Sequence, residues 1–190
     1  MWSFPNISLF HCFKMRIVGG KYKGRVFNPG KKFRSRPTTD LAKEGLFNIL
    51  ENRYNLDEKK VLDLFSGTGS MGYEFASRDA KEVLMVEKNY NHYQFIWQTI
   101  KALEIEIAHA IKGDAFVFIK KTSEKFDIVF ADPPFDLIKM DEIPDAVFSN
   151  HILNKNGIFI LEHSKEHNFS KHPNFFEIRH YGKVNFSFFA

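Results

Sequence analysis

The stretch Val61–Gly72, VLDLFSGTGSMG, decides the fold. Its first residues, Val61–Phe65, form a nearly continuous apolar run, the pattern of a strand buried on both faces. Gly67, Gly69 and Gly72 then give the spacing G-x-G-x-x-G before a helical pattern begins at Ser70. Glycines so placed between a strand and a helix allow a tight turn and let a ligand approach the backbone amides at the helix start. By itself the spacing fits a dinucleotide as well as S-adenosylmethionine. Asp63 tilts the reading: it stands where a dinucleotide fingerprint has an apolar residue, and a carboxylate there can organise polar groups around an amino-acid-bearing ligand. The alternative role for Asp63 is to cap amides of the loop.

Outward from this loop, short apolar runs alternate with longer mixed segments. Glu82–Val86, Ala110–Lys112, Phe126–Ala131 and Gly157–Glu162 read as further strands. Ser70–Arg78, Tyr90–Leu103, Ala115–Lys121 and Ile138–Asn150 read as helices, the last kinked or restarted at Pro144. This alternation predicts a parallel sheet wound with crossover helices. Phe175–Tyr181 and Val184–Phe189, separated by Gly182 and Lys183, predict a C-terminal hairpin that sets one strand antiparallel. Upstream, residues 16–27 read as a glycine-rich hairpin. A helix capped by Thr39 or Asp40 should run to about Asn52 with an apolar stripe of Leu41, Leu46, Phe47, Ile49 and Leu50.

In such a sheet ligands sit at the carboxyl ends of the strands, so the residues there carry the functional reading. Glu87 ends the second strand, 20 residues past Gly67, and can accept hydrogen bonds from both hydroxyls of a ribose. Asp114 follows the third, where a carboxylate can receive the exocyclic amine of adenine beside the Ala115 amide; Gly113-Asp114 is also an ordinary turn. After the fourth comes Ala131–Phe135, ADPPF. Pro133 and Pro134 contribute no amide N–H and hold their neighbours extended. The loop therefore presents carbonyl oxygens and the Asp132 carboxylate beside the Phe135 ring, a site built to accept hydrogen bonds from an amino group on a planar ring.

Charge is distributed by position. Lys14–Lys60 holds 13 Lys and Arg against 5 Asp and Glu, whereas the whole 190-residue chain has a net charge of only +4. Lys14–Arg36 has nine basic residues and no acidic one, including Lys21, Lys23, Arg25, Lys31, Lys32, Arg34 and Arg36. A solvated basic hairpin would tolerate acids; a phosphate-binding surface would not, because each neutralised phosphate releases counterions. The single Cys12 excludes a disulfide framework and a multi-cysteine zinc site, and the scattered histidines suggest no metal. A reducing, cytoplasmic setting is expected, with no membrane association, since no apolar run nears the ~18–20 residues that span a bilayer. Residues 1–14 are expected to be a dispensable extension with Met15 the working start. The remainder reads as one domain, with a basic arm at 15–36, a helical region at 37–60 and the α/β core at 61–190.

VLDLFSGTGSMG, VEKN, GDA and DPPF, in this order, resemble the class I S-adenosylmethionine-dependent methyltransferases that act on amino groups. RIVGGKYKGR followed by RPTTDLAKEGLFNIL narrows the resemblance to the RsmD family, bacterial 16S rRNA guanine-N2 methyltransferases, from Met15 to the C-terminus. The resemblance implies a Rossmann-like, seven-stranded, mostly parallel sheet with one antiparallel strand. It also implies S-adenosyl-L-methionine as cofactor, held by Asp63, Phe65, Gly67, Gly69, Glu87, Asp114 and Ala115 with Thr38 lying over it. Asp132, Pro133, Pro134 and Phe135 become the catalytic loop. The target it implies is guanine 966 of 16S rRNA, within the 30S subunit or an assembly intermediate, acted on by a monomer. Two features stand outside the family pattern: the first fourteen residues, and the segment HSKEHNFSKHPN (163–174), which is too short and polar for a full crossover helix. Rival readings are an adenine-N6 methyltransferase, for whose target-recognition region the chain has little room, and a dinucleotide-binding oxidoreductase, which leaves Asp132–Phe135 unexplained. A non-catalytic RNA-binding module accounts for the arm alone.

Overall fold

The structure, a computed structural model, describes residues 15–30 and 38–190. The extension 1–14 and the arm residues Lys31, Lys32, Arg34 and Arg36 lie outside the described residues.

Two short strands, β1 (Met15–Arg16) and β2 (Val26–Phe27), pair antiparallel as the expected hairpin. Helix α1 (Asp40–Arg53) follows, capped by Thr39, whose hydroxyl accepts the Ala42 amide at 3.3 Å. The core then alternates β3 (Lys60–Leu64), α2 (Ser70–Ser77), β4 (Glu82–Glu87), α3 (Tyr90–Ala102), β5 (Ala108–Lys112), α4 (Ala115–Lys121), β6 (Phe126–Ala131), α5 (Ile143–Ser149) and β7 (Leu153–Ser164). The chain closes with β8 (Phe175–Tyr181) and β9 (Val184–Phe189). The seven-stranded sheet has the order β5-β4-β3-β6-β7-β9-β8. Strands β3 to β7 pair parallel, and β9 runs antiparallel to both β7 and β8.

Burial on both faces explains the apolar runs. Val61, Ile128 and Phe130 pack under α1, α2 and α3, while Leu62, Val129 and Ala131 face α4 and α5. Asp63 shares the face of Val61, which turns it toward α2. The order of strands reverses between β3 and β6, so the carboxyl ends of these two neighbours, Asp63–Leu64 and Ala131–Asp132, flank the switch point where ligands bind.

Several expectations need correction. Leu41 is 70% exposed, because α1 buries the i, i+4 row Ala42, Leu46 and Leu50 with Lys43 and Phe47, leaving Leu41 on the far side. Ile138–Asn150 is not one helix: a 3-10 turn at Met140–Glu142 precedes α5, which starts with Pro144 in its first turn, where a missing N–H costs nothing. Strand β7 begins four residues before Gly157, carried past an irregularity by Asn156, whose φ is 64°. As its length and polarity lead one to expect, the segment 165–174 holds no helix; it crosses from β7 to the sheet edge with Phe169 buried, and β9 returns between β7 and β8.

The arm is seated on α2 rather than hanging free. The Lys21 amide donates to the Ser77 carbonyl at 2.7 Å, the Tyr22 amide donates to the Ser77 hydroxyl at 2.9 Å, and that hydroxyl donates to the Gly19 carbonyl at 2.5 Å. Gly20, at φ 73°, lies so close that a Cβ there would meet the Ser77 carbonyl oxygen at 1.9 Å.

Candidate active site

A pocket of about 650 Å³ opens at the carboxyl ends of β3, β4, β5 and β6. Asp63, Phe65, Gly67, Glu87, Asp114 and Ala115 line it, with Asp132, Pro133, Pro134 and Phe135 of the loop after β6 and with Thr38. The sequence points to these residues in five separate segments, and the fold brings them to one cavity. Gly69 alone does not line it. It caps α2 at φ 79° with its amide donating to the Ser66 carbonyl, and a Cβ there would meet the Tyr73 ring at 2.7 Å.

The carboxylates of Asp63, Glu87 and Asp114 are already engaged. Asp63 is buried on the sheet, and its Oδ2 accepts the Gly72 amide at 3.1 Å. It thus satisfies an amide in the first turn of α2, the place where an anionic pyrophosphate would bind. Glu87 accepts the Gly67 amide at 2.8 Å and the Asn89 amide at 2.6 Å, one on each oxygen, which fixes its carboxylate between the glycine loop and the start of α3. Asp114 caps α4 through Val117 and pairs with Lys88 at 3.1 Å. Burial pushes its carboxyl up, but Lys88 and the α4 amides outweigh this and hold it below the ordinary value. Phe65 has φ 58°, uncommon for a non-glycine residue; it turns the chain from β3 into the glycine loop beneath the pocket.

The floor near β6 and β7 is electrostatically tense. Burial pushes the Asp132 carboxyl up to about 7. Glu162, 2% exposed at the end of β7, is raised well above the ordinary value by burial and by the charge of Asp132, while the Thr38 hydroxyl, donating to it at 2.7 Å, pulls it back. Asp63 is raised too, by burial first and the Asp132 charge second. Burial and the Asp132 charge thus oppose ionisation of all three carboxyls together. Phe135 is 48% exposed at the lip, its ring available for stacking.

Sequence reasoning missed some of the lining. Thr68, Lys88 and His92 also face the cavity; Thr68 belongs to the glycine loop, so its neighbours were the available signal, whereas nothing in the sequence places His92 there. Among the arm residues, Lys23 and Arg25 are exposed, and Lys21 pairs with Asp79 at 2.6 Å beyond the end of α2. Among the described residues no cluster of side chains could hold a metal ion, and no helix is long and apolar enough to cross a membrane.

The family model described as Conserved hypothetical protein 95 matches residues 15–190. Ribosomal RNA small subunit methyltransferase D of Haemophilus influenzae is 32% identical over 158 residues, covering 80% of this chain and 80% of that protein. The putative rRNA methyltransferase YlbH of Bacillus subtilis is 29% identical over 156 residues, covering 80% of this chain and 84% of that protein. Among solved structures, the putative methyltransferase yhhF of Escherichia coli superposes with a TM-score of 0.82 at 26% identity, over 93% of this chain and 97% of that one. With the switch-point pocket, the DPPF loop and a family model matched from Met15 to the C-terminus, the chain belongs to the RsmD family of class I S-adenosylmethionine-dependent methyltransferases.

Proposed function

We propose that this protein transfers a methyl group from S-adenosylmethionine to the exocyclic N2 amine of a guanine in 16S rRNA, guanine 966 by family resemblance. The observation that carries the reading is the pairing of a buried Asp63, which fills the anion position of α2, with the Asp132–Phe135 loop in the same pocket, whose two prolines contribute no N–H. An anionic dinucleotide would meet the Asp63 carboxylate where its pyrophosphate must go. A cationic sulfonium bearing an amino acid meets no such conflict.

The residues fit that cofactor. Glu87 would take the ribose hydroxyls, Asp114 and the Ala115 amide the adenine edge, and Asp63 with the glycine loop the amino-acid end, with Thr38 closing over it. When bound, the cofactor supplies an electrophilic methyl on its sulfonium. The protein's task lies with the amine, whose lone pair is delocalised into the guanine ring. Asp132 and the Pro133 carbonyl accept its two hydrogens and localise the lone pair, and Phe135 stacks on the base. This is positioning plus stabilisation of developing positive charge. Asp132, poised near neutrality, takes the proton that the methylated nitrogen releases.

The base reaches the pocket only out of its stack, which a single-stranded loop makes inexpensive. The arm, with Lys23 and Arg25 exposed and Lys31, Lys32, Arg34 and Arg36 following, holds flanking phosphates; Lys21 steadies it through Asp79. The substrate is 16S rRNA in the 30S particle or an assembly intermediate, and the enzyme acts as a cytoplasmic monomer. Tritiated methyl transfer should appear with 16S rRNA or 30S particles and not with DNA; transfer to DNA instead would leave the adenine-N6 rival standing. Reversing charge at Lys23, Arg25, Lys31 and Arg34 should weaken RNA binding and flatten its dependence on salt, by about one unit of slope per lost phosphate contact. An unchanged slope in a filter-binding titration would remove the arm from the RNA interface.

A further inference from the structure

Helix α3 carries a row of aromatic side chains that the fold does not use. Tyr90, Tyr93 and Trp97 recur at i, i+3 and i+7 and so form one stripe along the helix. Tyr90 is 58% and Trp97 41% exposed, while Ile96 and Thr99 bury the opposite face. The rings of Tyr90 and Tyr93 lie 6.4 Å apart, and one turn beyond Trp97 the Lys101 ammonium sits 3.7 Å from the indole centroid. Asn91, Gln94 and Gln98 flank the stripe, and no acidic residue occurs from Lys88 to Leu103.

The stripe begins at the rim of the pocket, which the α3 cap Asn89 and His92 both line. On the helix's other flank Phe95 meets Phe27 of the arm at 6.3 Å. Rings interleaved with amides and a cation, free of acids, suit bases and phosphates. A dry interface with a second copy would instead be apolar at its centre and depleted of lysine.

We propose that Tyr90, Tyr93 and Trp97 form a stacking track for single-stranded RNA, taking the bases that flank the target nucleotide, with Lys101 meeting a phosphate. This rests on the reading of the protein as an RNA methyltransferase and adds a second RNA surface that does not depend on the basic arm.

The test uses the full chain with Trp2→Phe, so that Trp97 is the one remaining tryptophan. An oligonucleotide covering the single-stranded target loop should quench its emission with the midpoint seen by anisotropy of the labelled RNA. Tyr90→Ala and Trp97→Ala should each weaken RNA binding about tenfold. The effect should fall on KM for RNA, leaving kcat and S-adenosylmethionine affinity unchanged. If RNA is methylated and binds through the arm while emission and both variants' affinities stay at wild-type levels, the track is overturned and the methyltransferase reading stands. If sedimentation shows Trp97→Ala converting a dimer to monomer with RNA affinity unchanged, the stripe is a self-interface and the track is likewise overturned. If no RNA is methylated, the reading fails and the track fails with it.

Discussion

Asp132→Ala should lower methyl transfer by about 10³-fold, the scale on which removing a positioned acid–base or electrostatic group acts. Affinity for S-adenosylmethionine, measured by calorimetry, should be nearly unchanged, because Asp132 sits on the amine side of the pocket. The loss should not come from unfolding. The charge of Asp132 raises both Asp63 and Glu162, so deleting it relieves two buried carboxyls. The same group sets the pH dependence. With its carboxyl up at about 7, Asp132 is protonated below neutrality and ionised above it. Since the ionised form is the stronger acceptor and the one able to take the released proton, kcat should rise with pH through about 7 in the wild type. Asp132→Asn should lack that limb. Stability should move oppositely: a raised acid binds more protons folded than unfolded, so its contribution falls as pH climbs from the unfolded value near ~4 through 7. Asp132→Asn should therefore melt higher than wild type at pH 8 and not at pH 3. Loss of cofactor binding in step with activity would reassign Asp132 to the cofactor.

Glu74→Ala should be the most damaging substitution for the fold, costing about 3–5 kcal/mol. Glu74 is fully buried on α2, with Lys43 of α1 1% exposed beside it. Its Oε1 accepts the Lys43 ammonium at 3.0 Å and the Val18 amide at 2.8 Å, and its Oε2 accepts Arg78 at 2.6 Å. Lys43 also donates to the Arg16 carbonyl at 2.6 Å. Removing Glu74 leaves a buried ammonium with the Arg16 carbonyl and, as its one remaining carboxylate, the more distant Asp40 at 3.4 Å, and it strands the Val18 amide. For a domain of this size the melting temperature should fall on the order of 10 °C. Glu51→Ala, which removes the exposed partner of Arg78, should cost less than about 1 kcal/mol. Replacing both partners, Lys43→Met with Glu74→Gln, should recover much of the loss, because it leaves no buried ammonium unpaired and the glutamine oxygen can still accept the Val18 amide. The consequence reaches function. One side of α2 begins at the pocket and the other holds Val18, Lys21 and Tyr22 of the arm, so Glu74→Ala should weaken RNA binding as well. A melting temperature within 2 °C of wild type would show that the cluster does not anchor the arm.

The inner strands were legible because burial on both faces leaves a nearly unbroken apolar signature, and the edge strand because of the tight turn at Gly182-Lys183; Phe126–Ala131, Phe175–Tyr181 and Val184–Phe189 keep the bounds the sequence suggests. The pocket was legible because its chemistry is local: glycines, prolines and acids stand at strand ends, where the topology collects them. The buried cluster was not. Lys43, Glu74 and Arg78 look like the solvated faces of two helices, and only the meeting of arm, α1 and α2 makes them interior. Leu41 failed for the converse reason, since an apolar residue on the side of the helix away from Ala42, Leu46 and Leu50 falls outside the interface whatever its hydrophobicity. The sequence shows Tyr90–Leu103 as a helix but does not say which face its rings take; the exposure of Tyr90 and Trp97 separates them from the face carrying Ile96. The bond from Thr38 to Glu162, 124 residues apart, has no local signal at all.

The central claim is that the DPPF loop holds a guanine amine. It is tested most directly by incubating the protein with labelled S-adenosylmethionine and 30S particles, digesting the rRNA to nucleosides and identifying the labelled one by mass spectrometry. The account predicts N2-methylguanosine, absent when the Asp132→Ala protein is used. Label on adenine N6, on a ring nitrogen, or on a ribosomal protein with the rRNA bare would contradict it.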